Sequence, residues 1–246
     1  SILAINNEDT TQAQDLVAAA RADYRRLLTA LYSAGYYGGV INITVNGREA
    51  AAIPPLDAPD TVNTIVITVE PGPRFKFGDA VVAPAPSTAE LPDGFRTGED
   101  ASTDVIRSAV SAVVTAWQDA GYAKAAARGQ QITARHNEQI LNVNVAIAPG
   151  PQLTFGNLTV TGNQAVRTDR IIAIAGLPTG SVYSPADLTQ AERRLRDTGA
   201  FDSVALVEAD NIGAGDTLPI TAQIAESQPR RFGFGVELSS IEGLGT

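Results

Sequence analysis

One stretch of the sequence decides the fold, because it occurs twice. Residues 65–78 read Ile-Val-Ile-Thr-Val-Glu-Pro-Gly-Pro-Arg-Phe-Lys-Phe-Gly, and residues 143–156 read Val-Asn-Val-Ala-Ile-Ala-Pro-Gly-Pro-Gln-Leu-Thr-Phe-Gly. In both copies an alternating segment leads to a Pro-Gly-Pro joint, and a Phe-Gly pair follows. Alternation with a period of two is typical of a half-buried β-strand. The copies begin 78 residues apart, so we predict a chain built from repeated units of this length.

Other landmarks in the chain keep the same spacing. A weaker third copy alternates over 220–225 and leads to a Phe-Gly-Phe-Gly segment at 232–235. Gly121 and Gly199, which are also 78 residues apart, each follow a helical pattern, and Gly35 stands in the corresponding place near the start of the chain. Two unrelated landmarks with one spacing indicate three units.

Each unit is predicted to contain a helix that ends at its glycine, where a left-handed backbone conformation costs glycine little. The helix starts are indicated by Thr11, by Ser102 or Thr103, and by Ser184 followed by Pro185. An additional helix is expected over Thr168–Ala175, and a short or distorted one within Ala83–Gly98. The predicted strands are Val40–Val45 with Val62–Val69, Gln130–Arg135 with Gln139–Ile147, Val204–Glu208 with Leu218–Ala225, and the opening strands Phe77–Val82 and Phe155–Thr161.

The fold class predicted from these elements is α+β, with three tandem βααββ domains. The boundaries are 1–72, 73–150 and 151–229, and the first domain is incomplete at its N-terminus because its opening strand and helix are missing. In the last segment, 230–246, the residues from 232 to 239 alternate apolar residues with glycine or polar residues. That segment is either one more amphipathic strand or the first strand of a membrane β-barrel, since barrel strands alternate in this way.

Composition excludes several functions. The 246 residues include 18 Lys and Arg against 27 Asp and Glu, a net charge of −9, which argues against a nucleic-acid binder. There is no cysteine and one histidine, so thiol chemistry and multi-histidine metal sites are ruled out, and no cofactor is expected. The alternative of an enzyme with a distant carboxylate pair gains nothing from the repeat. We therefore predict a protein that is not an enzyme.

Individual residues that invite a functional interpretation have simpler structural ones. His136 lies between two predicted strands and is expected at a solvated hairpin turn. Trp117 falls on the apolar stripe of its helix and is expected in the core. The aromatic residues that follow the helix-ending glycines are expected to anchor helix to sheet; they are Tyr36, Tyr37 and Phe201. For Tyr37 an exposed side chain is the alternative. Acidic neighbours such as Glu99 and Asp100 are expected to be solvated loop residues.

The predicted βααββ unit, its glycine-terminated helix, the Pro-Gly-Pro joints and the Arg-Arg-Phe-Gly-Phe-Gly segment at 230–235 resemble POTRA domains of the Omp85 superfamily. The segments 30–40 (Ala-Leu-Tyr-Ser-Ala-Gly-Tyr-Tyr-Gly-Gly-Val) and 193–204 (Arg-Arg-Leu-Arg-Asp-Thr-Gly-Ala-Phe-Asp-Ser-Val) more narrowly resemble its TamA family. The resemblance implies three POTRA domains ahead of a β-barrel at the periplasmic face of the bacterial outer membrane. It also implies a role in inserting autotransporters and other outer-membrane proteins, whose unfolded chains would be the clients. The implied partners are the protein's own barrel and a TamB-like protein anchored in the inner membrane.

The resemblance also suggests where partners bind. An open sheet edge can capture an extended segment by β-augmentation, and the strand after each glycine is the expected edge. The expected partner-binding residues are Val40, Ile41, Asn42, Ile43, Gln131, Ile132, Thr133, Val204, Ala205, Leu206 and Val207. The expected membrane-proximal residues are Arg230, Arg231, Phe232 and Phe234. Two alternatives have the same fold: a two-partner secretion transporter and the general barrel-assembly protein, which differ in their number of units.

Overall fold

The computed structural model describes residues 13–54 and 57–227, which form a mixed α+β structure. The proposed barrel strand and its residues Arg230, Arg231, Phe232 and Phe234 lie outside this range, as does the N-terminal cap at Thr11. The helices are α1 (Ala13–Ser33), α2 (Thr103–Asp119), α3 (Thr168–Ala175) and α4 (Pro185–Arg196). The strands are β1 (Val40–Val45), β2 (Arg48–Glu49), β3 (Ile65–Glu70), β4 (Lys76–Ala83), β5 (Ala126–Arg135), β6 (Ile140–Ala148), β7 (Thr154–Thr161), β8 (Phe201–Glu208) and β9 (Thr217–Glu226).

The strands form three sheets of three strands, ordered β2-β1-β3, β4-β6-β5 and β7-β9-β8. In the second and third sheets the middle strand pairs in parallel with the opening strand and antiparallel with the strand that follows the glycine. Both parallel pairs shift register at the same place, between Phe77 and Ala80 and between Phe155 and Leu158. The 78-residue repeat of the sequence is therefore also a structural repeat.

The chain separates into two compact units, Ser1–Gln152 and Leu153–Thr246. The first unit contains the first and second sheets, each with its own hydrophobic core. In the first core Val17 and Ala20 of α1 pack on Ile43 and Val45 of β1. The second core is made by apolar residues of α2 and of the sheet beneath it, namely Phe75, Phe77, Ile106, Val113, Leu141, Val143 and Val145.

The second unit contains the third sheet with α3 and α4. Its most deeply buried side chains include Ile171 of α3, Leu195 of α4, and Leu218 and Ile220 of β9. In each of these two helices the buried residues fall on one face, as an amphipathic helix requires.

The helix boundaries agree with the capping residues read from the sequence. The Ser102 hydroxyl accepts hydrogen bonds from the backbone N–H groups of Asp104 and Val105, and the Ser184 hydroxyl accepts one from Asp187. The glycines after α1, α2 and α4 have φ values of 84°, 93° and 67°. This left-handed backbone is the conformation predicted for them, and α3 likewise spans Thr168–Ala175 as expected.

One local expectation is wrong, and one short hairpin was not expected. The helix expected within Ala83–Gly98 is wrong, because β4 ends at Ala83 and residues 84–98 are turns and irregular backbone. Pro84, Pro86 and Pro92 remove the N–H groups that a helix there would need. The short hairpin β1–β2 was not predicted, although Asn46-Gly47 at its turn, where both residues have positive φ, is a strong hairpin signal.

Candidate functional site

The expected partner-binding residues lie on β1, β5 and β8. Strands β5 and β8 are each at the edge of their sheet, whereas β1 lies between β2 and β3. Because β2 pairs only with Thr44 and Val45, the outer side of β1 over 40–43 has no strand beside it in the described part of the chain. An exposed edge presents backbone N–H and C=O groups to a further strand, so access to these groups decides which edge can accept one.

The outer side of β1 is occupied by a side chain from α1. The hydroxyl of Tyr24 accepts a hydrogen bond of 2.9 Å from the backbone N–H of Ile43 and lies 3.3 Å from the Ile43 carbonyl oxygen. The same hydroxyl bonds to the carboxylate of Glu49 in β2. Another Glu49 carboxylate oxygen accepts a bond of 2.6 Å from the Asn42 amide. The backbone N–H of Ile43 is therefore already bonded, and β1 is not the edge strand that was expected.

The outer side of β8 is also occupied, in this case by α4. The backbone N–H of Leu206 donates a hydrogen bond of 2.8 Å to the carboxylate of Glu192. The Arg196 guanidinium donates one of 3.1 Å to the carbonyl of Val204, and it pairs with Glu192 at 2.9 Å. The side chains of Val204 and Leu206 are only 5% and 7% exposed. Strand β8 lies at a sheet edge, but the outward N–H of Leu206 and the outward carbonyl of Val204 are already bonded.

Strand β5 differs from both. Within the described part of the chain, no side chain hydrogen-bonds to the backbone of Gln130, Ile132 or Ala134. Ile132 contributes to the groove that runs between β5 and α2, yet it is 42% exposed. In β8 the residues that face α4, Val204 and Leu206, are buried. Helix α4 therefore covers the edge of the third sheet, whereas α2 leaves the edge of the second sheet uncovered at Ile132.

The space between α2 and β5, here called the acceptor groove, has a volume of about 530 Å³. Its lining combines apolar residues of α2 and the sheet with two tyrosines from the end of α1 and the segment after it. The lining residues are Tyr32, Tyr37, Thr103, Ile106, Arg107, Val110, Gln130, Ile132, Ala134, His136 and Leu141. Expected residue Ile132 lines this groove, whereas Gln131 and Thr133 line a smaller depression of about 410 Å³ that also includes Asn142 and Asn144 of β6.

Three residues that line the acceptor groove, Tyr32, Tyr37 and His136, belong to an aromatic cluster. Tyr37 stacks on Tyr32 with ring centroids 4.9 Å apart, and Phe75 meets Tyr37 edge to face at 5.6 Å. The exposed ring of His136 in turn meets Phe75 at 5.3 Å. Burial raises the pKa of Tyr37 above its ordinary value of 10.0, against the lowering effect of its hydrogen bond to Thr103. His136 lies at the hairpin turn as predicted, but its contact with Phe75 had no signal in the sequence.

The sequence contains a signal for the closed edge at β8 and the open edge at β5. Glu192 and Arg196 are one helical turn apart on α4, and the residues 78 positions earlier on α2 are Val114 and Gln118. Valine has no side-chain acceptor for a backbone N–H. Comparing the repeats at these positions would have shown that α2 lacks the pair that closes β8.

The remaining residues considered in the sequence have structural roles. Trp117 is half-buried against the second core, and its indole N–H donates to the carbonyl of Pro84 at 3.0 Å. Glu99 and Asp100 form exposed ion pairs with Arg96 and Arg74, as expected for loop residues. In residues 13–54 and 57–227 no group of three His, Cys, Asp or Glu side chains could hold a metal ion. None of the helices in the same range has the length and apolarity needed to cross a membrane.

Comparison with known proteins agrees with this fold. The family model POTRA, described as surface antigen variable number repeat, matches residues 153–227, which lie in the second unit. The structure of BamA POTRA domains 3–5 from Haemophilus influenzae is similar, with a TM-score of 0.59 and 16% identity over 84% of this chain and 80% of that one. BamA from Haemophilus ducreyi lacking POTRA domains 1–3 gives a TM-score of 0.50 and 15% identity, covering 62% of this chain and 30% of that one.

No curated protein matches the chain. At these identities the two structures show the fold alone, which is the mixed α+β fold of POTRA domains.

Proposed function

We propose that this chain is the POTRA region of an Omp85-type outer-membrane protein and that its second sheet takes up an extended protein segment along β5. The observation that carries the proposal is the contrast between the strands that follow the glycines. The outer sides of β1 and β8 are bonded to Tyr24 and to the Glu192–Arg196 pair, while β5 borders an open groove.

The backbone of β5 is oriented for this role. In β1 and β8 the residues whose side chains face the helix, Ile43 and Leu206, are those whose N–H groups point away from the sheet. Strand β5 has the same direction relative to its middle strand and the same helix-covered face. The side chains of Ile132 and Ala134 line the groove on that face, so we infer that their backbone groups point to the open side.

The acceptor groove gives the incoming segment a place for its side chains. Alternate residues of an added strand would face α2, and Ile106 and Val110 of α2 with Leu141 of β6 offer an apolar lining there. The main-chain hydrogen bonds of β-augmentation do not depend on the sequence of the segment, and the groove selects only for apolar side chains at every second position. This combination fits a binding protein that serves many clients.

The clients in this proposal are unfolded outer-membrane proteins, and binding rather than catalysis is the activity. The site would act in the periplasm, beside the protein's own barrel and a TamB-like partner. The narrower assignment to the TamA family is supported by the resemblance of 30–40 and by the three repeats of one sheet. A two-partner secretion transporter and the general barrel-assembly protein are the alternatives, and the number of units in the full-length sequence separates them.

The substitution Ile132→Pro tests the proposed edge. Proline removes the outward N–H of β5 and is tolerated at an edge strand whose N–H faces solvent, so the sheet should survive. The probe is a fluorescent peptide of alternating valine and threonine with a lysine at each end, and its affinity is measured by fluorescence anisotropy. We expect a loss of at least about tenfold for Ile132→Pro, equivalent to one hydrogen bond of normal strength.

The matched control is Ile132→Val, which keeps the backbone N–H and the β-branched side chain. It should lose at most about fourfold in affinity, because it removes a single methylene group from a side chain that is only partly buried. Circular dichroism of both variants confirms that the sheet is intact. Equal binding by the folded proline variant would rule out strand addition at β5.

A further inference from the structure

The geometry points to a second property of these sheets: two of the three strands that follow the glycines are held closed by helix side chains that take the place of an added strand. We call Tyr24 the α1 guard and the Glu192–Arg196 pair the α4 guard. By occupying outward backbone groups of Ile43 in β1 and of Val204 and Leu206 in β8, the guards keep an extended chain from pairing there and direct it to β5.

The α4 guard reproduces the contacts that a further strand would make. A strand beside β8 would offer a carbonyl to the N–H of Leu206 and an N–H to the carbonyl of Val204. The Glu192 carboxylate is the acceptor at 2.8 Å, and the Arg196 guanidinium is the donor at 3.1 Å. The ion pair between Glu192 and Arg196, at 2.9 Å, holds both side chains in place. Hydrogen bonds to charged groups are stronger than those between neutral groups. A peptide that pairs with β8 would therefore replace the strong bonds of Glu192 and Arg196 with weaker bonds between backbone groups.

The α1 guard uses one neutral group for the same purpose. A single hydroxyl, that of Tyr24, lies 2.9 Å from the nitrogen and 3.3 Å from the oxygen of Ile43. The hydroxyl is held in place by its bond to Glu49, on the strand that continues from the hairpin. Two helices of different sequence thus reach the same position on two sheets by different chemistry, which argues that closing this position is the shared property.

The second sheet shows what the guards prevent. Counting back from the glycine after each helix, the positions of Tyr24 and Glu192 correspond to Val110 and Val114 of α2. Neither valine can accept or donate a hydrogen bond through its side chain, and Val110 lines the acceptor groove. The absence of a guard and the presence of the groove therefore occur on the same sheet.

The α4 guard is tested with the double variant Glu192→Ala, Arg196→Ala in the full chain. Amide exchange of Leu206, followed by NMR, should become at least about tenfold faster, because its N–H loses its partner while the rest of the sheet stays paired. Titration with the valine–threonine peptide should show two bound peptides in place of one. The peptide readout depends on the proposed function, and the exchange readout does not.

Two further variants separate the guard from general destabilisation. Glu192→Gln keeps a side-chain oxygen that can accept from Leu206, so it should retain most of the amide protection. Arg193→Ala removes an exposed charge from the same turn of α4 without touching the guard and should leave the exchange rate of Leu206 unchanged. In the first sheet Tyr24→Phe keeps the ring but removes the hydroxyl, and the amide exchange of Ile43 should accelerate by a similar factor.

The outcomes are decisive in each direction. Unchanged exchange of Leu206 in the folded double variant would overturn the guard, since its N–H would then be protected by something else. Faster exchange without a second peptide, while β5 still binds one, would overturn the exclusion of extended chains. If the wild type binds no peptide at all, the proposed function is wrong, and the guards are then judged by exchange at Leu206 and Ile43 alone.

Discussion

The rings of Tyr37 and Phe75 meet edge to face with their centroids 5.6 Å apart, and this contact joins the end of the first sheet's helix region to the start of the second sheet. The backbone supports the same junction, because the N–H of Phe75 donates to the carbonyl of Gly35 at 2.9 Å. The Pro-Gly-Pro joint at 71–73 is therefore followed, within the first compact unit, by a residue that packs against Tyr37. Tyr37 also lines the acceptor groove, so the groove includes a residue that follows α1 as well as residues of the second sheet.

Removing the ring of Phe75 should destabilise the first unit. Phe75 is 1% exposed and belongs to the second core, so Phe75→Ala should lower the free energy of unfolding by about 3–5 kcal/mol. The measurement is urea unfolding followed by tyrosine and tryptophan fluorescence. His136→Ala, which removes an exposed partner of the same ring, should cost less than about 1 kcal/mol. Similar losses for the two variants would show that Phe75 is not the centre of the junction.

Filling the acceptor groove should weaken binding without removing a backbone group. Val110 lies on α2 beside the groove, and Val110→Phe would place a larger side chain in its volume of about 530 Å³. We expect affinity for the valine–threonine peptide to fall by roughly tenfold, because the client's apolar side chains lose their place. Ser108→Ala, on another face of α2, should leave the affinity unchanged. Unaltered binding by Val110→Phe would mean that client side chains do not enter the groove.

The carboxylate of Glu226, at the end of β9, should give the second unit a pH-dependent stability. It accepts hydrogen bonds from the backbone N–H groups of Gln164, Ala165 and Val166, and these bonds lower the pKa of Glu226 below its ordinary value of 4.5. A carboxylate whose pKa is lowered by folding stabilises the fold above its unfolded pKa, and this contribution is lost as the pH falls through the lower folded value.

Glu226→Gln should therefore melt at a lower temperature than the wild type at neutral pH, and the difference should shrink in acid. Thermal melts at pH 7 and at about pH 3 provide the comparison. Asp210→Asn, in the exposed β8–β9 hairpin loop, serves as the control and should change the melting temperature little at either pH. A difference for Glu226→Gln that grows in acid would contradict the direction of the pKa shift.

Gly199 should resist substitution because of its backbone alone. Its φ is 67°, and among the described residues beyond its chain neighbours no atom lies within 4 Å of the position that a Cβ would take. A side chain there would be strained without clashing, so Gly199→Val should lower the stability of the second unit by about 1 kcal/mol or more. Gly199→Asn should cost less because asparagine tolerates this conformation.

The control for Gly199 is Gly129→Ala, where φ is not positive and the space around a Cβ is open. It should leave the free energy of unfolding nearly unchanged, because neither strain nor a clash is introduced. Urea unfolding of the three variants gives the comparison. Equal stability of Gly199→Val and the wild type would contradict the assignment of Gly199 as a helix-ending left-handed residue.

The elements with a strong local pattern were predictable from the sequence. Helix α3 and the caps at Ser102 and Ser184 follow from propensity and capping, and the repeat placed the strands within a few residues. The irregular segment before α2 was not predictable as such, because its prolines forbid a helix but do not say what replaces it. Its path depends on long-range bonds, such as that from the N–H of Phe77 to the carbonyl of Glu99.

The candidate site was predictable only in part. Whether a further strand can reach the backbone of an edge strand depends on the helices packed beside it, which is a matter of tertiary structure. Ile43, Ile132 and Leu206 each lie on the strand that follows a helix-ending glycine, and nothing within these strands distinguishes an open edge from a closed one. What separates them is a hydroxyl 19 residues before Ile43 and a carboxylate 14 residues before Leu206, each brought into place by helix packing. Strand order, which decides that β1 is not an edge strand, likewise required the structure.

The most direct test of strand addition at β5 is a residue-by-residue amide exchange measurement of the wild-type protein with and without the valine–threonine peptide. The account predicts that the amides of Ile132 and Ala134 gain protection on binding, while those of Ile43 and Leu206 keep the protection they already have. Protection that appears on β8, on the other edge strand of the first sheet, β3, or on no strand would contradict it.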